Sequence, residues 1–450
     1  SSPVGLYGRQ AFQEIDQLNM MRPCVKWADR VYHPRRIPEL VHMAFQKAMS
    51  GKPGPVYLDL PGDILYQKID EAEIDWTLSG QSLERARPQG DADKVAQLID
   101  ALSVAERPVI VSGGGVLWSE AWDELREFVE KAGIPFYTTP QGRGVIPEDH
   151  PLCHLTVRSA AFREADLIVI VGTRMNYIIS HAAPPRFNVD AKIARIDIDA
   201  EEVATSPRHV DIGIVGDARA VLQQLNACLG DRVTEANFQH WRDRLAEEEA
   251  QKRARPGGNS LSDDVPIHPL RLCEEIKNFA NRDAVMVVDG QEILNYGRQS
   301  IPTYEPGHRL NSGPFGTMGV GLPFGLGAKI AKPDKQVIVL HGDGSFGLNA
   351  MELDTAVRHN IPVLVVISLN GGWTADPDQN KPGRELGYVR YDKMAETLGC
   401  YGEYVEAPED IRPALERAQA KVDEGRVAVV NVKTDFAARA GTQTFAQYST

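Results

Sequence analysis

Cysteine is scarce in this sequence: five cysteines occur in 450 residues, far apart and in no CxxC spacing. An odd number at such separations favours neither a disulfide framework nor a structural zinc site. Apolar runs of about 18 residues, long enough to span a bilayer, are also missing, and the first ten residues do not resemble a signal peptide. We therefore expect a protein of the reducing cytoplasm without a membrane segment.

Positive charge is in short supply as well. The 49 Lys and Arg residues are outnumbered by 62 Asp and Glu, the formal net charge is −13, and no run of basic residues is dense. This composition disfavours nucleic acids and anionic membranes as partners. With 42% hydrophobic and 25% charged residues the chain has an ordinary globular composition. Its length predicts roughly two to four domains.

Turn-rich and charged stretches divide the chain into blocks. Two of the blocks alternate β-branched strand candidates with helix-like segments, which predicts βαβ units and open parallel sheets. The predicted order is a first block, a linker, a central α/β domain, a helix with a linker, a second α/β domain and a tail, at residues 1–65, 66–91, 92–228, 229–265, 266–435 and 436–450.

An Asp lies between two glycines in the segment HGDGSFGLNA, directly after the apolar run 337–340. Ligands of open parallel sheets bind beyond the carboxyl ends of strands. Asn370 follows the next predicted strand, 27 positions after Asp343 (370 − 343), which is about one strand-helix-strand crossover. Both side chains should therefore emerge at the same sheet edge.

Oxygen donors of this kind suit a divalent cation. The carboxylate of Asp343, the amide of Asn370 and the backbone C=O of Gly372 fit Mg²⁺ that also binds a diphosphate. Glycines 342 and 344 let the backbone approach the phosphates, and the following helix directs its positive end at them. Alternatively, the glycines form an ordinary tight turn and Asn370 caps a helix or a turn.

The stretch 342–373 resembles the cofactor motif of thiamine diphosphate-dependent enzymes, although Leu369 stands where the family has the first Asn of a pair. The segments DGQEI and NSGPFGTMG also resemble this family, with Met318 placed to bend the cofactor. The resemblance implies metal ligation by Asp343, Asn370 and Gly372. It implies that the cofactor contacts Gly290, Gln291, Glu292, Gly316, Met318, Gly342, Asp343, Gly344, Ser345, Asn370, Gly372 and Trp373.

Over its whole length the chain resembles one branch of that family, the 2-hydroxyacyl-CoA lyases and oxalyl-CoA decarboxylases. The motifs are YGRQAFQEIDQLN, SGKPGPVYLDLPGD, VGTRMNYIISH and RLNSGPFGTMGVG. The resemblance implies consecutive open, doubly wound α/β domains, the first of them incomplete. Phe12 and Gln13 resemble the lyases and the acetohydroxyacid synthases, whereas the decarboxylase has Tyr and Glu there. The implied reaction is reversible cleavage of a 2-hydroxyacyl-CoA to formyl-CoA and an aldehyde or ketone.

The same resemblance implies nucleotide contacts in the central domain. Arg174 and Asn176 fall where the branch contacts the ADP portion of CoA, and Arg309 is a further candidate for a phosphate contact. Asp197 and Asp199 resemble the place where some members hold a separate ADP, since strand-end carboxylates suit ribose hydroxyls. Alternatively, these strand-end residues are solvated or capping groups. The tail at 436–450 is expected either to cover the CoA entrance or to fray.

The family's activating Glu has no counterpart in these residues, because the first block matches only the closing third of the domain that carries it. We expect an N-terminal portion outside this sequence. The family builds each site from two subunits, which implies a homo-oligomer, at least a dimer, with a tetramer expected. The alternatives are acetohydroxyacid synthase-like condensation of 2-keto acids, oxalyl-CoA decarboxylation, and an inactive nucleotide-binding or assembly subunit.

Overall fold

The computed structural model describes residues 1–77, 85–254, 258–374 and 381–440. These residues form a two-stranded, a five-stranded and a six-stranded sheet. Every strand pair within the sheets is parallel. The predicted α/β fold class is therefore confirmed. In the part of the chain described, no helix is long and apolar enough to cross a membrane.

The first block has a small core and a large apolar surface. Strands β1 and β2 pair in parallel and the longest helix, α2, lies against them. The elements are α1 Gln17–Met21, β1 Trp27–Arg30, α2 Ile37–Met49, β2 Val56–Asp59 and α3 Gly62–Tyr66. Side chains more than half exposed include Phe12, Ile15, Met20, Tyr32, Phe45, Leu65 and Tyr66. A two-stranded sheet is too small to bury them.

The five-stranded sheet of the central block has the order β4-β3-β5-β6-β7. Its inner strands are buried on both faces, which explains their continuous apolar sequences. The last strand, β7, was not predicted, because it is only four residues long and contains a glycine. The elements are α4 Ala92–Val104, β3 Pro108–Ser112, α5 Gly114–Trp118, α6 Trp122–Ala132, β4 Phe136–Thr138, α7 Arg158–Glu164, β5 Leu167–Val171, β6 Lys192–Asp197, α8 Ala200–Ala204, β7 Ile212–Val215 and α9 Ala218–Cys228.

The charged helix α10, Gln239–Arg253, packs on the central block instead of forming a free spacer. Trp241 and Leu245 are buried in the same core as the five-stranded sheet. The indole Nε1 of Trp241 donates to the carbonyl of Pro108 at 3.1 Å. The buried indole therefore keeps its polar atom satisfied while its ring fills the core.

The six-stranded sheet of the last block has the order β12-β13-β11-β10-β8-β9. Four of its strands were predicted from apolar runs. The other two were missed, since β9 has two residues and β12 contains Gly and Glu. The elements are α11 Pro269–Phe279, β8 Val285–Asp289, α12 Glu292–Ser300, β9 Arg309–Leu310, α13 Gly321–Ala331, β10 Val337–Gly342, α14 Asp343–Asn349, α15 Glu352–Arg358, β11 Leu364–Leu369, α16 Tyr391–Thr397, β12 Tyr401–Val405, α17 Ile411–Asp423 and β13 Ala428–Lys433.

Three adjacent strands of this sheet end at one edge. β8, β10 and β11 lie side by side and run in the same direction. Their carboxyl ends lead into Gly290, Asp343 and Asn370 respectively. The sheet order therefore places three sequence-distant turns next to each other, which for Asp343 and Asn370 is what the crossover spacing predicted.

Candidate functional site

A pocket of about 500 Å³, open to solvent, lies at this sheet edge. Its wall contains every residue that the sequence predicted for the cofactor except Gly316. Gly316 ends the short turn that precedes Met318 and has a left-handed φ of 64°. The residues that the structure brings together are Gly290, Gln291, Glu292, Met318, Gly342, Asp343, Gly344, Ser345, Asn370, Gly372 and Trp373.

Asp343 is the first residue of α14 and is buried. Its Oδ1 accepts the N–H of Gly344 at 2.8 Å, and its Oδ2 accepts the N–H of Gly371 at 2.7 Å. Gly371 has a φ of 80°, a conformation that glycine adopts without strain. The Oδ1 of Asn370 accepts the N–H of Gly372 at 3.2 Å. The carboxylate on one strand end is thus bonded to the turn that follows the neighbouring strand.

The donors at this edge fit a divalent cation. No group of three or more His, Cys, Asp or Glu residues that could hold a metal occurs within the described ranges. A cation would therefore rely on the mixed oxygen set of Asp343, Asn370 and Gly372, completed by phosphate oxygens and water. Burial raises the pKa of Asp343 to about 6, against the opposing effect of the backbone N–H groups. A bound cation would compensate for the desolvation of this carboxylate.

This raised pKa leads to a prediction about pH. Below about pH 6 a proton competes with the cation for Asp343, so the affinity for Mg²⁺ should fall about tenfold per pH unit. Since the folded pKa exceeds the ordinary value of 3.8, the metal-free fold should gain stability as the pH falls from about 6 to about 4. Titrating Mg²⁺ at pH 5 and pH 7 tests this. Asp343→Asn should remove the pH dependence, and an unchanged slope in that variant would contradict the assignment.

Trp373 covers the first turn of α14. A Cβ on Gly344 would lie 2.8 Å from the indole ring, so only glycine permits this contact. The backbone N–H of Trp373 donates to the carbonyl of Arg384 at 2.8 Å, and Gly372 bridges Glu385. The chain beyond the metal turn therefore folds back on itself and holds the indole at the pocket wall. Residues 375–380 of the predicted loop lie outside the described residues.

The structure adds pocket residues that the sequence did not name individually. Pro269, Ile293 and Ser368 come from α11, α12 and β11, Thr374 lies in the loop after Trp373, and Asp435 and Ala438 lie in the chain after β13, where the predicted tail was a candidate cover for the site. The backbone N–H of Ala440 donates to Oε2 of Glu292 at 2.8 Å. Residues 435–440 thus form part of the pocket wall. The predicted tail continues into residues 441–450, which lie outside the described part.

The residues predicted for ADP lie together at the carboxyl edge of β5 and β6, where the chain's own groups already engage them. The side chain of Asn176 accepts the N–H of Ile178 at 3.1 Å, and Asp199 caps α8. Asp199 also pairs with Lys52 of the first block at 3.1 Å. Arg174 is 53% exposed and lies 3.5 Å from a Glu202 oxygen.

Asp197 is the most enclosed residue of this group. It lies 3.6 Å from Arg195, and its Oδ1 accepts the N–H of Asp199 at 3.1 Å. Burial raises the pKa of Asp197. The capping role that the sequence left open is therefore seen for Asn176 and Asp199, while Arg174 is the member that faces solvent.

Arg309 does not lie with Arg174, although the sequence named both as candidates for nucleotide contacts. It is buried on β9, and its Nη1 donates to the carbonyl of Ile301 at 3.3 Å. The same carbonyl accepts from Arg143 of the central block at 2.9 Å, so Arg309 lies at the seam between the last block and the central block. It is therefore not a member of the surface group around Arg174.

That seam holds a group of buried or half-buried arginines, Arg143, Arg158, Arg298 and Arg309. Glu148 faces them, and Arg143 engages both of its carboxylate oxygens. The Nε of Arg298 is buried and has no hydrogen-bond partner among the residues described. The seam therefore carries more positive than negative charge, a feature that sequence analysis missed because arginines on helices usually face solvent.

The structure does not bring Phe12 and Gln13 to the pocket of their own chain. Phe12 is 87% exposed, and Gln13 has a left-handed φ of 56°. Neither residue lines the pocket. Their assignment depends on a second subunit, as the resemblance implied.

Two domain families match the chain. The family described as "Thiamine pyrophosphate enzyme, central domain" covers residues 95–225, and "Thiamine pyrophosphate enzyme, C-terminal TPP binding domain" covers 294–432. The 2-hydroxyacyl-CoA lyase of Oryza sativa subsp. japonica is 33% identical over 453 residues, which cover 95% of this chain and 78% of the relative. The chain belongs to the thiamine pyrophosphate enzymes. The family resemblance inferred from the motifs is thereby confirmed.

The chain is also similar to proteins that are named for other activities. A probable acetolactate synthase of Mycobacterium bovis is 35% identical over 447 residues, covering 96% of this chain and 78% of the relative. The oxalyl-CoA decarboxylase of Escherichia coli K12 is 30% identical over 438 residues, covering 95% and 76%. The matched C-terminal binding domain contains Asp343 and Asn370. Thiamine pyrophosphate and thiamine diphosphate are the same cofactor.

Proposed function

We propose that this thiamine pyrophosphate enzyme cleaves 2-hydroxyacyl-CoA thioesters to formyl-CoA and an aldehyde or ketone, and catalyses the reverse condensation. The observation that supports a CoA substrate is the excess of positive charge at the seam between the central and last blocks. CoA is polyanionic, and an overall net charge of −13 means that its phosphates must be met by local cations. The relatives named 2-hydroxyacyl-CoA lyase support the choice of acyl chemistry.

The cofactor and metal fit the pocket described above. Asp343, Asn370 and Gly372 would hold Mg²⁺, and the backbone at Gly290, Gly342 and Gly344 would approach the diphosphate. When bound, thiamine diphosphate supplies a carbon nucleophile and an electron sink for the C1–C2 bond of the substrate. The protein supplies orientation and a dry environment.

The chain's own side chains contribute the surroundings of the reacting atoms. Met318, Trp373, Pro269, Ile293 and Ala438 form the apolar part of the wall. With cofactor and substrate bound, these side chains would limit the water that reaches the reacting atoms. Asp343 must be deprotonated to bind the cation, so it contributes no proton to the reaction. In an oligomer, Phe12 and Gln13 of another copy would shape the acyl pocket and orient the carbonyl. The activating Glu expected from the family is not among these 450 residues.

The arginine seam lies within reach of the pocket. Glu292 at the start of α12 lines the pocket, and Arg298 lies six residues further along the same helix (298 − 292). Six residues of α-helix span about 9 Å. A thioester whose acyl end enters the pocket can therefore place phosphates near Arg298 and Arg158. Arg174, which is half-exposed on the central block, is the second proposed contact.

A second candidate is acetolactate synthase-type condensation of 2-keto acids. It is favoured by one observation, the 35% identity to the probable acetolactate synthase over 96% of this chain. This reaction uses substrates without CoA, so the arginines of the seam would have no role in binding them. The two candidates therefore differ in how arginine variants respond.

Turnover of full-length protein with Mg²⁺ and thiamine diphosphate tests both candidates. We expect formyl-CoA from 2-hydroxyacyl-CoA, and little product from pyruvate or oxalyl-CoA. Arg174→Ala and Arg298→Ala should each raise KM for the CoA ester about tenfold with kcat within about twofold, since each loses a charge-assisted hydrogen bond. The control is Arg412→Ala on the exposed face of α17, which should behave as wild type.

Product from pyruvate with unchanged KM in both arginine variants would favour the condensation of keto acids. Carbon dioxide from oxalyl-CoA would favour the decarboxylase. Cofactor binding without turnover of any of the three substrates would favour the non-enzymatic reading.

A further inference from the structure

Asp289 is a buried carboxylate outside the pocket wall. It ends β8 and is 1% exposed. Its Oδ2 accepts the N–H of Gly319 and the N–H of Gly321, each at 2.8 Å. Gly319 directly follows Met318, which lines the pocket. One carboxylate oxygen therefore holds both ends of the turn that begins at Met318.

The other side of this turn is held by α14. The Nδ2 of Asn349, the last residue of the helix, donates to the carbonyl of Gly319 at 2.8 Å. Gly319 is thus bonded through its N–H and its C=O, to two different elements. Because α14 begins with Asp343, the helix that carries the proposed metal ligand also holds the turn that carries Met318.

Packing around the turn leaves no room for adjustment. A Cβ on Gly321 would lie 2.5 Å from Cε1 of His341 and 2.7 Å from Cβ of Asp289. Gly319 has a φ of 90°, and a Cβ there would lie 2.9 Å from Cβ of Leu348. The left-handed φ of Gly319 and the close contacts at both positions favour glycine. The turn therefore packs closely against β8 and α14.

His341 lies between Asp289 and the first turn of α14. Its Nδ1 lies 3.1 Å from Oγ of Ser345 and 3.7 Å from Oδ2 of Asp289. The hydroxyl of Ser345 donates its single hydrogen to the carbonyl of Gly342 at 2.9 Å. The Nδ1 of His341 must therefore be the donor to Ser345. The imidazole fills the space between the carboxylate, the turn and the first turn of α14.

We propose that Asp289 and Asn349 are positioning residues that fix Met318 against the cofactor, and so set its reactive geometry without contributing to its affinity. This inference rests on the proposed function, because it requires a bound thiamine diphosphate. Asp343 governs retention of the cofactor, whereas Asp289 and Asn349 govern its shape. A displacement of about 1 Å at a reacting centre can lower a rate about 100-fold.

Two measurements on full-length protein with Mg²⁺ and thiamine diphosphate separate geometry from affinity. One is the dissociation constant of the cofactor, followed by tryptophan fluorescence. The other is the rate at which the C2 hydrogen of the bound cofactor exchanges with deuterium, followed by NMR after acid quench. Neither measurement requires a substrate. Thermal unfolding of each variant reports separately on the fold.

Asp289→Ala should lower the C2 exchange rate about 100-fold and change the dissociation constant less than about fivefold. Asp289→Asn retains an acceptor oxygen for both glycines and should restore exchange to within about fivefold of wild type. Asn349→Ala removes the contact on the other side of the turn without altering a buried side chain, because Asn349 is exposed. It should lower exchange about tenfold with normal affinity.

The inference would be overturned if Asp289→Ala and Asn349→Ala both exchanged the C2 hydrogen at the wild-type rate. It would also be overturned if the cofactor affinity fell together with the exchange rate. If Asp289→Ala does not fold, Asn349→Ala decides the question alone. Wild-type protein that binds no thiamine diphosphate would overturn the proposed function, and the inference with it. Normal binding by wild type with unaltered variants would overturn only the inference.

Discussion

Asp343→Ala should weaken Mg²⁺-dependent retention of thiamine diphosphate at least about 100-fold and leave the fold intact. The substitution removes the only charged oxygen donor in the proposed set of Asp343, Asn370 and Gly372. Changes to groups that merely support metal ligands cost about 10- to 100-fold, so loss of a ligand should cost more. It also removes the acceptor for the N–H groups of Gly344 and Gly371. Equilibrium dialysis with radiolabelled cofactor measures the effect.

Asp343→Asn is the milder variant, because it removes the charge, keeps an acceptor for one of the two N–H groups and turns its amide nitrogen towards the other. We expect it to resemble Asp343→Ala in affinity and to lose some thermal stability, since one backbone N–H then lacks an acceptor. Asp423→Asn, on the far end of α17, is the matched control for loss of a carboxylate. Cofactor retention at the wild-type level in both Asp343 variants would discredit the metal site.

Phe324→Glu combined with Ile330→Glu should convert an oligomer into monomers and abolish turnover. The last block exposes apolar side chains on neighbouring helices and turns: Phe315, Phe324, Ile330, Leu348 and Met351. Exposed patches of this kind usually mark interaction sites. We propose that this face binds the apolar surface of the first block from another copy. Separation would then remove Phe12 and Gln13 from the neighbouring pocket, and the rate should fall at least about 100-fold.

Sedimentation velocity and turnover on the same samples check this prediction. Val104→Glu is the control, since Val104 is 74% exposed at the end of α4 on the central block. It adds the same charge at an exposed apolar position away from the proposed face. A double variant that stays oligomeric, or a monomer with full turnover, would contradict the proposed interface.

The cofactor pocket could be predicted from sequence because its signals are local. Three of the turns that line it directly follow apolar strands and contain glycine, at Gly290, Gly342 and Gly372. The parallel arrangement then brings the strand ends together without further information. The turns come together once β11, β10 and β8 are neighbours in the sheet, an arrangement that crossover connections between parallel strands allow.

The remaining features depend on contacts between distant segments. Asp435 and Ala438 enter the pocket from the chain after β13, and their sequence did not decide between a cover over the site and a frayed tail. Arg298 lies on a helix and gives no sign that a second block buries it. The same holds for Arg309, because nothing in the sequence indicates that it is buried at the seam between two blocks.

Ala438 lies near the end of the described chain, and its small, buried side chain lines the pocket. Chain ends ordinarily tolerate change because they contact little, but here the backbone is tied to Glu292 through Ala440. A substitution at Ala438 would therefore reshape the pocket without disturbing the β-sheet. For the proposed function, residues 435–440 are thus a place where selectivity among acyl groups can be changed separately from the fold.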